Sequence, residues 1–84
     1  MKVEQVKEVC LKYDQLLIEK GIKDCFRNNE NHASLSHIRW MLTEIPKLID
    51  LDKFEKAHRW VGFVQGVLWS KKISSVEDMR KDNS

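Results

Sequence analysis

Phe54-Glu55-Lys56-Ala57-His58-Arg59-Trp60-Val61-Gly62-Phe63-Val64-Gln65-Gly66-Val67-Leu68-Trp69 is the stretch that decides how this chain folds. Phe54, Ala57, Val61, Val64 and Leu68 recur at three- and four-residue steps, the period that gathers side chains on one face of an α-helix. Trp60, Phe63, Val67 and Trp69 then spread apolar surface around most of the remaining circumference, and Gln65 is the only polar side chain between the two tryptophans. A helix that is apolar nearly all round is normally buried on more than one side. Just upstream, Asp52 with Glu55 three positions later has the spacing of a capping box, so the helix is predicted over residues 53–70.

Working outward, Leu35, Ile38, Leu42, Ile45 and Ile49 form the apolar stripe of a second helix, over residues 34–50, capped by Asn31 or Ser34. Pro46 lies inside it. Proline lacks the N–H that would bond the Leu42 carbonyl, so a kink is expected there, or a stop and restart near Lys47. Val3, Val6, Cys10, Tyr13 and Leu17, widened by Val9 and Leu16, predict a first helix over residues 3–20 that ends at Gly21. Lys23 to Asn31 is polar and rich in asparagine, and reads as a connection. Ser75 with Asp78 caps a short helix over residues 75–81, and a polar tail follows. The expected fold is all-α: one domain of residues 1–84, a small three-helix bundle with a short C-terminal helix. At this size a domain buries only about 60% of its unfolded surface, so self-association would help it.

Composition excludes several classes. Fifteen basic residues are interspersed with thirteen acidic ones, which leaves no block of positive charge that would by itself announce DNA or a membrane. The longest apolar run falls far short of the ~20 residues that cross a bilayer, and Met1-Lys2-Val3-Glu4 lacks the apolar core of a secretory signal. The expectation is a cytoplasmic protein without membrane contact. Cys10 and Cys25 have no close Cys or His with which to form a zinc set, and read as unpaired thiols. His32 and His37 are five apart and so do not share a helix face, which gives no metal or acid–base pair. With no phosphate loop or nucleophile elbow either, no catalytic residue, metal or cofactor is expected, and the chain is read as a non-enzyme.

Two surfaces stand out as binding candidates. Gly62 and Gly66, on the side of the third helix roughly opposite the Phe54 to Leu68 stripe, each cost about 1 kcal/mol of helix stability relative to alanine. Bare backbone at four-residue spacing admits a close helix crossing, so Gly62, Phe63, Gly66 and Trp69 form a candidate homodimer interface. The alternative is close packing against the chain's own first helix. Trp40 projects away from the second helix's apolar stripe, near Glu44 and Lys47, where a large aromatic marks a contact unless the first helix or the C-terminal segment folds over it. With Arg39, Lys47, Lys56 and Arg59 it offers the cationic and stacking groups that hold single-stranded RNA or DNA, against the simpler account of a solvated amphipathic face.

The segment from Glu55 to Trp69 resembles one that recurs, as E-K-A-x-R-W-[LV]-G-F-[VI]-Q-G-x-L-W, in small, mostly uncharacterised accessory proteins of tailed bacteriophages. His37-Ile38-Arg39-Trp40-Met41 upstream and Ser75-Val76-Glu77-Asp78-Met79-Arg80-Lys81-Asp82-Asn83 downstream are similar to the same pattern, so the likeness covers roughly the C-terminal half or more. It brings no catalytic residues. It implies a phage accessory protein in the bacterial cytoplasm that binds a host macromolecule, as an inhibitor of a defence factor or, antitoxin-like, of a toxin. An RNA- or DNA-binding regulatory module is the competing expectation.

Overall fold

The computed structural model describes residues 1–83, apart from the side chains of residues 76, 77 and 83. Its helices are α1 (Val3–Glu19), α2 (Leu35–Asp50), α3 (Phe54–Ser70) and α4 (Val76–Asn83), with no strand among the described residues. The chain is an all-helical bundle. α2 is the central element: α1 and α3 each pack along it and touch one another far less. The core is built from the predicted stripes, with Val6, Val9, Cys10, Tyr13 and Leu17 from α1 meeting Ile38, Leu42, Ile45 and Ile49 from α2, and Ala57, Val61, Val64 and Leu68 from α3. Val67 joins them, while Phe54 at the start of α3 stays 40% exposed.

Ser34 is the N-cap of α2, its hydroxyl accepting from the His37 N–H. α2 then runs through Pro46 as one helix, without a stop and restart.

The three long helices end alike. Gly21 and Ile22 donate to Ile18 and Leu17, Asp52 and Lys53 to Ile49 and Leu48, and Lys72 and Ile73 to Trp69 and Leu68. In each case the penultimate residue has a positive φ: 89° at Gly21, 60° at Asp52 and 59° at Lys72. This pair of bonds is the Schellman motif, which satisfies helix carbonyls by turning one residue left-handed. Gly21 was legible as such a stop. Asp52 corrects the sequence reading: it closes α2, and α3 begins after Lys53 with no side-chain cap.

The C-terminal segment also departs from expectation. Helix α4 continues past residue 81 to Asn83, with Ser75 Oγ accepting from the Asp78 N–H as predicted. Asp82 is not part of a free polar tail but is 8% exposed, docked on α1. Its carboxylate accepts from the Tyr13 hydroxyl at 2.7 Å and from Lys12 Nζ at 2.6 Å. Gln65 Nε2 donates to the Tyr13 oxygen at 3.0 Å, so one buried hydroxyl joins α1, α3 and α4. Burial and the neighbouring carboxylate together push the Tyr13 phenol well above its ordinary pKa. The Cys10 thiol nearby is pushed up to about 12 by burial, whereas Cys25 is exposed; the two are free thiols.

Candidate functional site

At the end of the bundle where α2 begins, the sequence places His37, Trp40 and Met41 on one side of the helix by their three- and four-residue spacing. α3 brings Arg59, Trp60 and Phe63 to the same place on its own three-residue steps. The connection between α1 and α2 folds back over them and adds Arg27 and His32. Together these eight side chains line a cleft of about 440 Å³.

The rings form a row. His32 stacks on His37 with centroids 4.9 Å apart and planes 20° from parallel. His37 lies 5.2 Å from Trp40, and Trp40 lies 5.9 Å from Trp60. Cations sit on the row at both tryptophans: Arg27 Cζ is 5.5 Å from the Trp40 ring and Lys56 Nζ 5.4 Å from that of Trp60. Such placements use the negative face of the ring to hold a positive charge. Among the described residues, no carboxylate lines the cleft.

Backbone hydrogen bonds hold the fold-back in place. The Phe26 N–H donates to the Ser36 carbonyl at 3.2 Å, and the Asn28 N–H donates to His37 Nδ1 at 2.9 Å. Asn28 Oδ1 accepts from the N–H groups of Glu30 and Asn31, and Asn31 Oδ1 from that of Ala33. The asparagines that marked this segment as a connection therefore act as side-chain turns that give it a definite path. Because His37 Nδ1 is an acceptor, the neutral ring carries its proton on Nε2. His37 is 5% exposed, and burial first, then the positive fields of His32 and Arg27, hold its pKa below the ordinary value of 6.5.

Trp40, Lys56 and Arg59 come together here. Trp60 and, through Arg27, the α1–α2 connection pack on Trp40. Arg39 is engaged elsewhere. Its Nε and Nη2 donate to the two oxygens of Asp14, at 2.7 and 3.3 Å, and its Nη1 to the carbonyls of Ile22 and Lys23. That fork ties α2 to α1 and to the root of the connection, and the bond to Asp14 raises the guanidinium pKa further. Lys47 lies 2.8 Å from Glu44 Oε2, within ion-pair distance but without hydrogen-bond alignment, and does not line the cleft. His58 bridges the Phe54 and Met1 carbonyls.

Arg27, His32, His37, Met41 and Trp60 were missed as site residues, and Phe63, read only as part of a dimer face, also lines the cleft. The three-residue spacing from His37 to Trp40 and from Trp60 to Phe63 was a visible signal, but the fold-back that delivers Arg27 and His32 was not. No group of three or more His, Cys, Asp or Glu among the described residues is placed to hold a metal ion.

Gly62, Phe63, Gly66 and Trp69 lie on the outside of α3. A Cβ at either glycine would meet nothing within 4 Å, so α1 does not approach them and the intramolecular alternative fails. Phe63 is 42% and Trp69 57% exposed. No helix among the described residues is long and apolar enough to cross a membrane. Compared with family models, curated proteins and solved structures, the chain matches none.

Proposed function

We propose that this chain is a non-enzymatic binding protein whose cleft takes unpaired nucleotides, free or within a single strand of RNA. The observation that carries this reading is the row of rings from His32 to Trp60, bordered by Arg27, Lys56 and Arg59 and, among the described residues, by no carboxylate. Every base has a π face, and stacking on an aromatic side chain is worth about 1–3 kcal/mol per base. The flanking cations suit the phosphate that accompanies it. The cleft also falls within the range of about 300–1,000 Å³ typical of small-ligand sites.

The resemblance to tailed-phage accessory proteins supports a setting for this binding. In that setting the protein acts in the bacterial cytoplasm and blunts a host defence factor or toxin by capturing its nucleotide or RNA component. Titration of fluorescein-labelled mononucleotides and short oligonucleotides tests the reading by polarisation. Binding that weakens with salt and is lost in Trp40→Ala supports it. No binding of any of them at low salt overturns it.

The open backbone at Gly62 and Gly66, with Phe63 and Trp69 exposed beside it, supports a second proposal: two copies pair through the outer face of α3. Light scattering is expected to give a dimer mass for the wild-type chain and a monomer mass for Gly66→Leu. A monomer at high concentration in the wild type overturns the pairing. Capture from infected cells, with and without nuclease, distinguishes a host protein bound directly from one bridged by RNA.

A further inference from the structure

The contact between the α1–α2 connection and His37 has a sign that depends on protonation. We propose that residues 27–33 form a flap over the cleft, latched by neutral His37 and released when that imidazole takes up a proton. The inference concerns the free protein and holds whatever ligand fills the cleft. With His37 neutral, Nδ1 has a lone pair for the Asn28 N–H, at 2.9 Å. Protonation puts a hydrogen on that nitrogen, so two donors face each other and the bond becomes a repulsion. His32, stacked on the same ring, and Arg27, over the adjacent Trp40, come from the flap itself. Arg59 lines the cleft from α3. His32, Arg27 and Arg59 are basic; Glu30, also on the flap, does not line the cleft, and among the described residues no carboxylate does.

Release is confined to the flap because its two ends are held by bonds that do not involve His37. Arg39 grips the Ile22 and Lys23 carbonyls at the root, and the Phe26 N–H is bonded to Ser36. At the far end Ser34 caps α2. Between them, the Asn28 contact and the His32 stack fasten the segment to α2. Opening lifts Arg27 from Trp40 and removes one wall of the cleft.

The direction follows from linkage. The latched state holds the His37 pKa below the 6.5 of a free imidazole, so the open state binds the proton more tightly. The contribution of neutral His37 to closure is full above that value and is lost as pH falls from it through the depressed pKa. As pH falls through this window the ratio of open to latched flap rises, by at most about tenfold per pH unit.

The test is a pH titration from 8 to 5 on uniformly 15N-labelled protein, following the His37 imidazole and the Asn28 amide together. The expected result is a His37 midpoint below 6.5, with loss of Asn28 amide protection, corrected for intrinsic exchange, in the same range. In His37→Asn, whose Oδ1 accepts a hydrogen bond close to where Nδ1 does but does not titrate, the Asn28 protection is expected to be flat with pH. An Asn28 amide that stays protected while His37 titrates in the wild-type protein overturns the proposal. So does the same loss of protection in His37→Asn.

Discussion

Two clusters in this bundle each combine aromatic rings with cations and differ in whether a carboxylate is present to pair them. In one, Tyr13, Asp82, Lys12 and Gln65 form a closed set, in which the phenol, the carboxylate and the ammonium are each bonded within the cluster. In the other, His32, His37, Trp40 and Trp60 stand in a row with Arg27, Lys56 and Arg59, and among the described residues no carboxylate lines their cleft. A closed polar set fastens helices; an open one has stacking faces and charge still to be matched. The difference lies in the acid partner, which is why Arg39, held by Asp14, belongs with the first kind although it neighbours Trp40 in the sequence.

The strongest way to break this comparison is at Tyr13. Tyr13→Ala removes a fully buried ring and the hydroxyl that three helices share, and is expected to cost about 3–5 kcal/mol in urea unfolding with little change in oligonucleotide affinity after correction for the folded fraction. A cost under about 1 kcal/mol, the level of an ordinary surface change, would show that α4 is not fastened by this network.

Trp40→Ala does the opposite. It should weaken nucleotide or oligonucleotide binding by about ten- to a hundredfold, the equivalent of one lost stack, while moving the urea midpoint less than Tyr13→Ala does. The two arginines sharpen the contrast within one experiment. Arg39→Ala leaves the Asp14 carboxylate and two carbonyls without their donor, so it is expected to cost about 1–3 kcal/mol of stability and, acting only through the root of the flap, to lower affinity less than Arg59→Ala does. Arg59→Ala is expected to weaken binding and its salt dependence with stability unchanged. Equal effects of both arginines on affinity would erase the division between the clusters.

The smallest effect concerns the helix stops. A non-glycine residue in the left-handed region costs about 1–2 kcal/mol, so Lys72→Gly should raise stability by up to about 1 kcal/mol after the extra flexibility of the unfolded chain is counted. Gly21→Ala should lower it by about the same amount, and thermal or urea melts of the pair measure both.

Much of the bundle was legible because apolar periodicity is a local property. The stripes on α1, α2 and α3 name most of the core, and Ser34, Gly21 and Ser75 mark ends through chemistry read over three or four residues. Asp52 was read as the start of α3 because aspartate usually caps an N-terminus, and nothing nearby shows that its backbone turns left-handed to close α2. Trp40 was visible as an anomaly, but its neighbours were not. Arg27 and His32 reach it only because the Asn28 N–H finds His37 nine residues on, and no window on one helix contains that bond. Arg39 and Asp82 were misplaced for the same reason: their partners, Asp14 and Tyr13, lie 25 and 69 residues away in the chain.

The turn at Leu51 to Lys53 also bears on the order in which the molecule assembles. Only three residues separate α2 from α3, whereas fifteen separate α1 from α2. Closing the shorter connection sacrifices less chain entropy, so the α2–α3 hairpin is the natural nucleus, to which α1 and then α4 attach. Truncations where α2 meets α3, such as Val61→Ala, should therefore slow folding, while changes at Tyr13 or Asp82 act on the rate of unfolding. The fastening of α4, for all its contribution to the stability of the finished protein, would then take no part in the search that finds it.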